Sequence, residues 1–233
     1  MIRFDKVSKT RGGRRILEAV SFEARPGRVT GFVGPNGAGK SSSLRILLGL
    51  DRAAAGKATI DGRAYRDLHH PLRHVGSMLG GAAAHPSRTA RAHLRWVAAS
   101  NGIPASRVPQ VLQEVGLAAD ANRRVGTYSL GMGQRLGLAT ALLGKPERLV
   151  LDEPVNGLDP QGVRWIRQLL RAHADAGGTV LLSSHLIGEL AEIVDDVVVI
   201  AEGRIRAQGS IEDVQAGYPS LEEAFFAHVE GRA

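Results

Sequence analysis

Hydrophobic and polar positions change their spacing along the chain. Near the start, Ile2-Arg3-Phe4-Asp5-Lys6-Val7 and Ala19-Val20-Ser21-Phe22-Glu23-Ala24 alternate at period two, the pattern of strands that bury one face. Gly12-Gly13 and Pro26-Gly27 punctuate them as turns, and Lys57-Ala58-Thr59-Ile60 followed by Asp61-Gly62 reads as a further strand and tight turn. These short pieces predict an antiparallel β-subdomain. From about Thr89 to Leu143 the period becomes that of helices, with breaks at Gly102-Ile103-Pro104 and Gly116, which predicts an inserted α-helical subdomain. Beyond it, apolar runs at 148–151, 179–182 and 197–200 alternate with helical stretches at 160–176 and 186–194. Continuous apolar strands separated by helices predict an α/β fold with a parallel sheet covered on both faces.

One stretch organises the rest. Val29-Thr30-Gly31-Phe32-Val33 is β-prone, Leu44-Arg45-Ile46-Leu47-Leu48 favours helix, and Gly34-Pro35-Asn36-Gly37-Ala38-Gly39-Lys40-Ser41-Ser42 joins them. Glycines let successive N–H groups turn inward, and a helix start adds unpaired N–H groups and the positive end of its dipole. A chain of phosphates fits such a loop. Lys40 is placed to reach the β- and γ-phosphates of a nucleotide and Ser41 to offer its hydroxyl to Mg²⁺. A Gly-rich surface turn beside an ordinary lysine is the plainer alternative, and the placement between strand and helix argues against it.

Composition narrows the partners. The 233 residues carry 30 Lys+Arg against 23 Asp+Glu, a net charge of +7, which permits a nucleic acid, an anionic membrane surface or a phosphorylated ligand. Aromatic residues make up 4% and are not interleaved with basic ones, so a stacking surface for single-stranded nucleic acid is not expected. There is no cysteine, which excludes disulfides and thiolate metal sites. No apolar run approaches the roughly 18 residues of a membrane span, so this chain is not expected to cross a bilayer.

Leu149-Val150-Leu151-Asp152-Glu153-Pro154 is the second anchor. A buried strand ending in two carboxylates puts them at the carboxyl edge of a sheet, where open α/β folds place ligands. Asp152 there suits Mg²⁺ held through water, and Glu153 suits a base that takes a proton from an attacking water. Taken alone, the same acids could cap a helix.

Together with Tyr128-Ser129-Leu130-Gly131-Met132-Gly133-Gln134-Arg135, these stretches make the chain resemble the nucleotide-binding subunit of an ATP-binding cassette (ABC) transporter, along nearly its whole length. That segment is similar to the family's L-S-G-G-Q signature followed by Q-R. Asn156-Gly157-Leu158-Asp159 is similar to its D-loop, and Ser183-Ser184-His185 to its switch histidine. The resemblance implies a RecA-like P-loop NTPase core with an antiparallel β-subdomain and an inserted α-helical subdomain. It implies one ABC ATPase domain over 1–233, with the core at about 1–78 and 146–233 and the helical and signature part at about 79–145.

It also implies ATP and Mg²⁺ as ligands, bound by Gly34 to Ser42 and Asp152. Glu153 and His185 would be catalytic, while Ser129, Gly131 and Asp159 would act across a head-to-tail homodimer or heterodimer. Tyr128, Leu130 and Met132 depart from the commonest signature in the manner of subunits that serve ABC-2 type transmembrane permeases. The expected function is ATP hydrolysis that powers export through such a separate permease, at the cytoplasmic face of the membrane, with no nucleic acid partner. Arg11 falls where the family stacks an aromatic ring on adenine, and Gly80 where it carries the Q-loop glutamine. A soluble ABC ATPase acting on ribosomes or DNA is the alternative, which a single cassette with a short helical insertion disfavours. A P-loop kinase or GTPase leaves Ser129 to Arg135 and His185 unexplained.

Overall fold

The computed structural model describes residues 1–81 and 83–231. Strands β1 (Ile2–Arg11), β2 (Arg14–Ala24) and β3 (Arg28–Val33) precede helix α1 (Lys40–Leu47) and strand β4 (Ala55–Ile60). Strand β5 (Val75–Leu79), helices α2 (Ala90–Ser100), α3 (Arg107–Glu114) and α4 (Leu130–Leu142), and strand β6 (Arg148–Asp152) come next. They are followed by α5 (Pro160–Asp175), β7 (Thr179–Ser184), α6 (Ile187–Leu190), β8 (Asp196–Ala201), β9 (Arg204–Ser210), α7 (Ile211–Gln215) and α8 (Leu221–Glu230). The chain forms two compact units, one from Met1–Leu68 with the stretch from Arg167 onward, the other His69–Ile166.

In the first unit, β2, β1 and β4 form an antiparallel sheet in that order. Gly12 and Gly13, at φ 55° and 75°, make the two-residue turn whose twist matches the strands it joins. The alternation read from the sequence puts Phe4 opposite Phe22, and their rings stack 4.4 Å apart. Phe22 in turn lies 4.8 Å from Phe32 of β3, so one aromatic column ties this sheet to the next. There β3 pairs in parallel with β7 on one side and β8 on the other. Arg28 opens β3 by forking onto both carboxylate oxygens of Asp196, each at 2.7 Å.

The second unit holds the parallel pair β5 and β6 and the helices α2, α3 and α4. Helix α4 runs close to β5 because each carries a glycine at the contact: a Cβ on Gly137 of α4 would come within 2.6 Å of Met78 Sδ, and one on Gly76 of β5 within 2.1 Å of the Ala141 carbonyl. His93 is buried here, with Nε2 3.3 Å from Thr140 Oγ1, and burial followed by the nearby Arg88 charge lowers its pKa. It is a packing histidine.

Two expectations need correction, and one strand carries no clear signal in the sequence. The sheet is not purely parallel, because β9 returns antiparallel to β8 through Glu202 and Gly203, both at positive φ. The helical stretch at 186–194 shrinks to the single turn of α6, since the chain must re-enter the sheet at Asp195, whose N–H donates to the Val29 carbonyl at 2.8 Å. Finally, 75–79 is a strand, which Gly76 and Ser77 disguise and which its pairing with β6 creates. Among the described residues no helix is long and apolar enough to cross a membrane.

Asp51, just beyond α1, joins α1 to the antiparallel sheet. It accepts from Lys9 Nζ at 2.5 Å and from Arg45 Nε at 2.9 Å. These cations, Arg45 foremost, hold its carboxyl at about 2, below its ordinary 3.8. The folded state therefore gains from the ionised form above about pH 4, and that gain fades as pH falls toward 2. Asp51→Asn is expected to lower stability by about 0.5–1 kcal/mol in urea unfolding at pH 7, and by much less at pH 2. Equal losses at both pH values would assign the effect to packing.

Candidate functional site

The loop after β3 begins with a glycine that has no alternative. A Cβ on Gly34 would sit 2.2 Å from the Ile200 carbonyl oxygen, so the backbone of β8 occupies the space a side chain would need. The Ala38 N–H then closes the loop onto the Pro35 carbonyl at 3.1 Å. Gly39 precedes α1 at φ 112°, and a Cβ there would come within 2.5 Å of Leu17 Cδ2. The first bond of the helical ladder is donated by Ser43 to the Gly39 carbonyl at 2.9 Å. The N–H groups of Ser41 and Ser42 come before that bond and point along the helix axis into the loop. Lys40 is buried, with Nζ 2.6 Å from the Gly34 carbonyl, so a positive charge is held inside the ring of backbone. Ser41 is exposed at the rim.

His185 lies beside this loop through sheet register. Val33 of β3 pairs with Ser184 of β7, so the residues that follow each strand, Gly34 and His185, leave the same carboxyl edge side by side. The buried Ser184 hydroxyl accepts from the Leu186 N–H at 2.9 Å, which fixes the turn in which the exposed His185 stands. Arg11 is solvent-facing at the end of β1, opposite Arg14 across the hairpin turn.

The second unit gathers the acids and the serine. Leu79 pairs with Asp152, so β5 and β6 end together; Gly80 follows at φ 76° with no side chain to offer. Glu153 stands just past β6 at φ 52°, a left-handed conformation that a residue with a Cβ adopts at a cost of about 1–2 kcal/mol. No helix begins there, so Asp152 and Glu153 are not helix caps. Asp159 is one: its Oδ1 accepts from the Gly162 N–H at 2.7 Å, with Pro160 as the first residue of α5. That role was readable from Asp-Pro ahead of a helical run. Ser129 caps α4 as its residue type suggested, accepting from the Met132 N–H at 3.2 Å. A hydroxyl that accepts one bond keeps its own proton to donate. Gly131 lies in the first turn of α4, where a Cβ would lie 3.6 Å from Leu158 Cδ2.

The chain is similar to known proteins along most of its length. The ABC transporter family matches residues 17–156. The lantibiotic transport ATP-binding protein SrtF of Streptococcus pyogenes is 35% identical over 225 residues, 97% of this chain and 96% of that protein. The bacitracin transport ATP-binding protein BcrA of Bacillus licheniformis is 37% identical over 208 residues, 88% of this chain and 68% of that protein. A solved structure of an ATP-binding subunit of an ABC transporter superposes with a TM-score of 0.88 at 26% identity, covering 98% of this chain and 99% of that one. The fold is thus the RecA-like P-loop NTPase core with helical and β additions.

The crowding at Gly34 and the open space at Gly37, which has φ 82° and no atom within 4 Å of a built Cβ, make a stability contrast. Gly34→Ala is expected to cost about 2–3 kcal/mol through overpacking, and Gly37→Ala about 1 kcal/mol through its left-handed backbone alone. Chemical denaturation of both variants checks this, and equal costs would contradict the close approach of Ile200.

Proposed function

Because the chain belongs to the ABC transporter family, whose ATP-binding members bind and hydrolyse ATP, we propose that it is the ATPase subunit of an exporter and works as a head-to-tail dimer on a separate ABC-2 type permease. The observation that carries this reading is the capped serine: Ser129 heads α4 with a hydroxyl proton to give, as a group that binds the γ-phosphate from an opposing subunit would require. The names of SrtF and BcrA, which concern transport of a lantibiotic and of bacitracin, support an antibiotic peptide as cargo.

In this reading the phosphates of ATP lie in the loop from Gly34 to Ser42. Lys40 exchanges its bond to the Gly34 carbonyl for phosphate oxygens. No cluster of three or more His, Asp or Glu among the described residues could hold a metal unaided. The exposed Ser41 hydroxyl and the Asp152 carboxylate are nonetheless the hard oxygen donors that Mg²⁺ takes beside phosphate, so the residues fit it. Held there, the cation would supply neutralisation of the phosphate charge. Glu153 accepts the proton of the water that attacks the γ-phosphorus, and the bond to the bridging oxygen of ADP breaks. His185 orients the γ-phosphate, and Asp159 lies at the junction with the opposing subunit. Arg11 stacks its guanidinium on the base, with less discrimination between bases than an aromatic ring gives.

Glu153→Gln is expected to cut hydrolysis by about two to four orders of magnitude while ATP binding persists. The variant should accumulate as an ATP-bound dimer in size-exclusion chromatography; turnover at the normal rate would remove Glu153 from the mechanism. Lys40→Ala should weaken ATP binding by about 1.5–3 kcal/mol, the worth of a charged hydrogen bond. Unchanged affinity in a fluorescent-nucleotide titration would overturn its assignment. Recovery of a hydrophobic partner with the chain after mild detergent extraction tests the permease.

A further inference from the structure

We propose that Gln134 is a positioning residue for Glu153, so that the helix headed by Ser129 governs how the carboxylate of the same subunit is aimed. The proposal rests on the reading of Glu153 as the general base and names a residue which that reading does not use.

Gln134 lies one turn into α4 and is 6% exposed. Its Nε2 donates to the Asn156 carbonyl at 3.1 Å, and the Asn156 N–H donates to the Glu153 carbonyl at 3.2 Å. Two hydrogen bonds through one intervening residue thus connect the helix to the residue with the left-handed backbone. A carbonyl can only accept, so the amide of Gln134 must present its nitrogen to Asn156. Its Oε1 is then left buried without a hydrogen-bond partner. A leucine or methionine would fill the same volume without that cost, so packing alone does not account for an amide at this position.

The neighbouring contacts act in the same direction. A Cβ on Gly157 would come within 2.1 Å of Leu130 Cδ2, which means that the first residue of α4 rests directly on the backbone of the turn. Left-handed backbone at a residue with a Cβ persists only where its surroundings over-determine it. Here Pro154 holds the turn from within, and Gln134 and Leu130 hold it from α4. If Glu153 relaxed to a negative φ, its Cβ would swing and the carboxylate would point elsewhere. A base displaced by about 1 Å loses much of its effect.

The test uses the full-length chain. Gln134→Met keeps length and removes the donor; Gln134→Leu also removes it and serves if the methionine variant fails to fold. Either is expected to lower kcat by roughly tenfold to a hundredfold, with KM for ATP and fluorescent-nucleotide affinity within about twofold, because the phosphate loop belongs to the other unit. The deciding measurement is a double-mutant cycle with Glu153→Gln. Once the carboxylate is gone, changing Gln134 should leave the residual hydrolysis as it is. The same fold-loss in both backgrounds, or an unchanged kcat in the single variants, would overturn the positioning role. Normal hydrolysis by Glu153→Gln alone would instead overturn the reading of Glu153 as the base, and this inference with it.

Discussion

Strand β3 is hydrogen-bonded in parallel on both sides, and the position of the anion loop follows from that constraint. A strand so held cannot slip, because a one-residue shift would break two ladders and turn Phe32 away from Phe22. Its last residue, Val33, is therefore fixed beside Ser184, and the two segments that leave the sheet there emerge together. The next residue meets the backbone of β8 so closely that only a glycine fits. Register, close approach and the left-handed Gly39 then place Lys40 and the start of α1 around one small volume. The charge held there and the amides aimed into it make that volume suited to anions before any ligand arrives.

The second unit obtains its chemistry by a different device. Its acids and its capped serine sit on short connections instead of on a glycine ring. The turn after β6 is held against its own preference, with Glu153 at φ 52°. The contacts that offset this come from α4, through Gln134 and through Leu130 lying on Gly157. The N-terminus of α4 and the turn after β6 are in this way packed against each other.

Much of this was readable in advance where the signal is local. The glycine loop, the hairpin turns and the cap at Ser129 each depend on a few neighbouring residues whose φ requirements or side-chain oxygens allow few alternatives. The strand at 75–79 was not readable, since Gly76 and Ser77 carry no β preference and its ladder with β6 supplies the order. Gly76 itself makes sense only beside the Ala141 carbonyl. The return strand β9 had a signal in Glu202-Gly203, a two-residue turn that the apolar pattern of the strand before it overshadowed. At 186–194 helical spacing promised more helix than the sheet allows, because Asp195 has to reach Val29.

Which chemistry the chain carries is written in its residues: a phosphate loop, a strand ending in carboxylates, a capped serine and a histidine after a strand. These are properties of short segments, and short segments are governed by backbone freedom and by the groups that a few residues carry. How those groups are aimed is set by the folded arrangement. The amide of Gln134 turned to Asn156 and the pairing of Val33 with Ser184 join residues far apart in the chain, and the left-handed backbone at Glu153 is held among such contacts. Such contacts come from register and packing between elements, which no local pattern encodes.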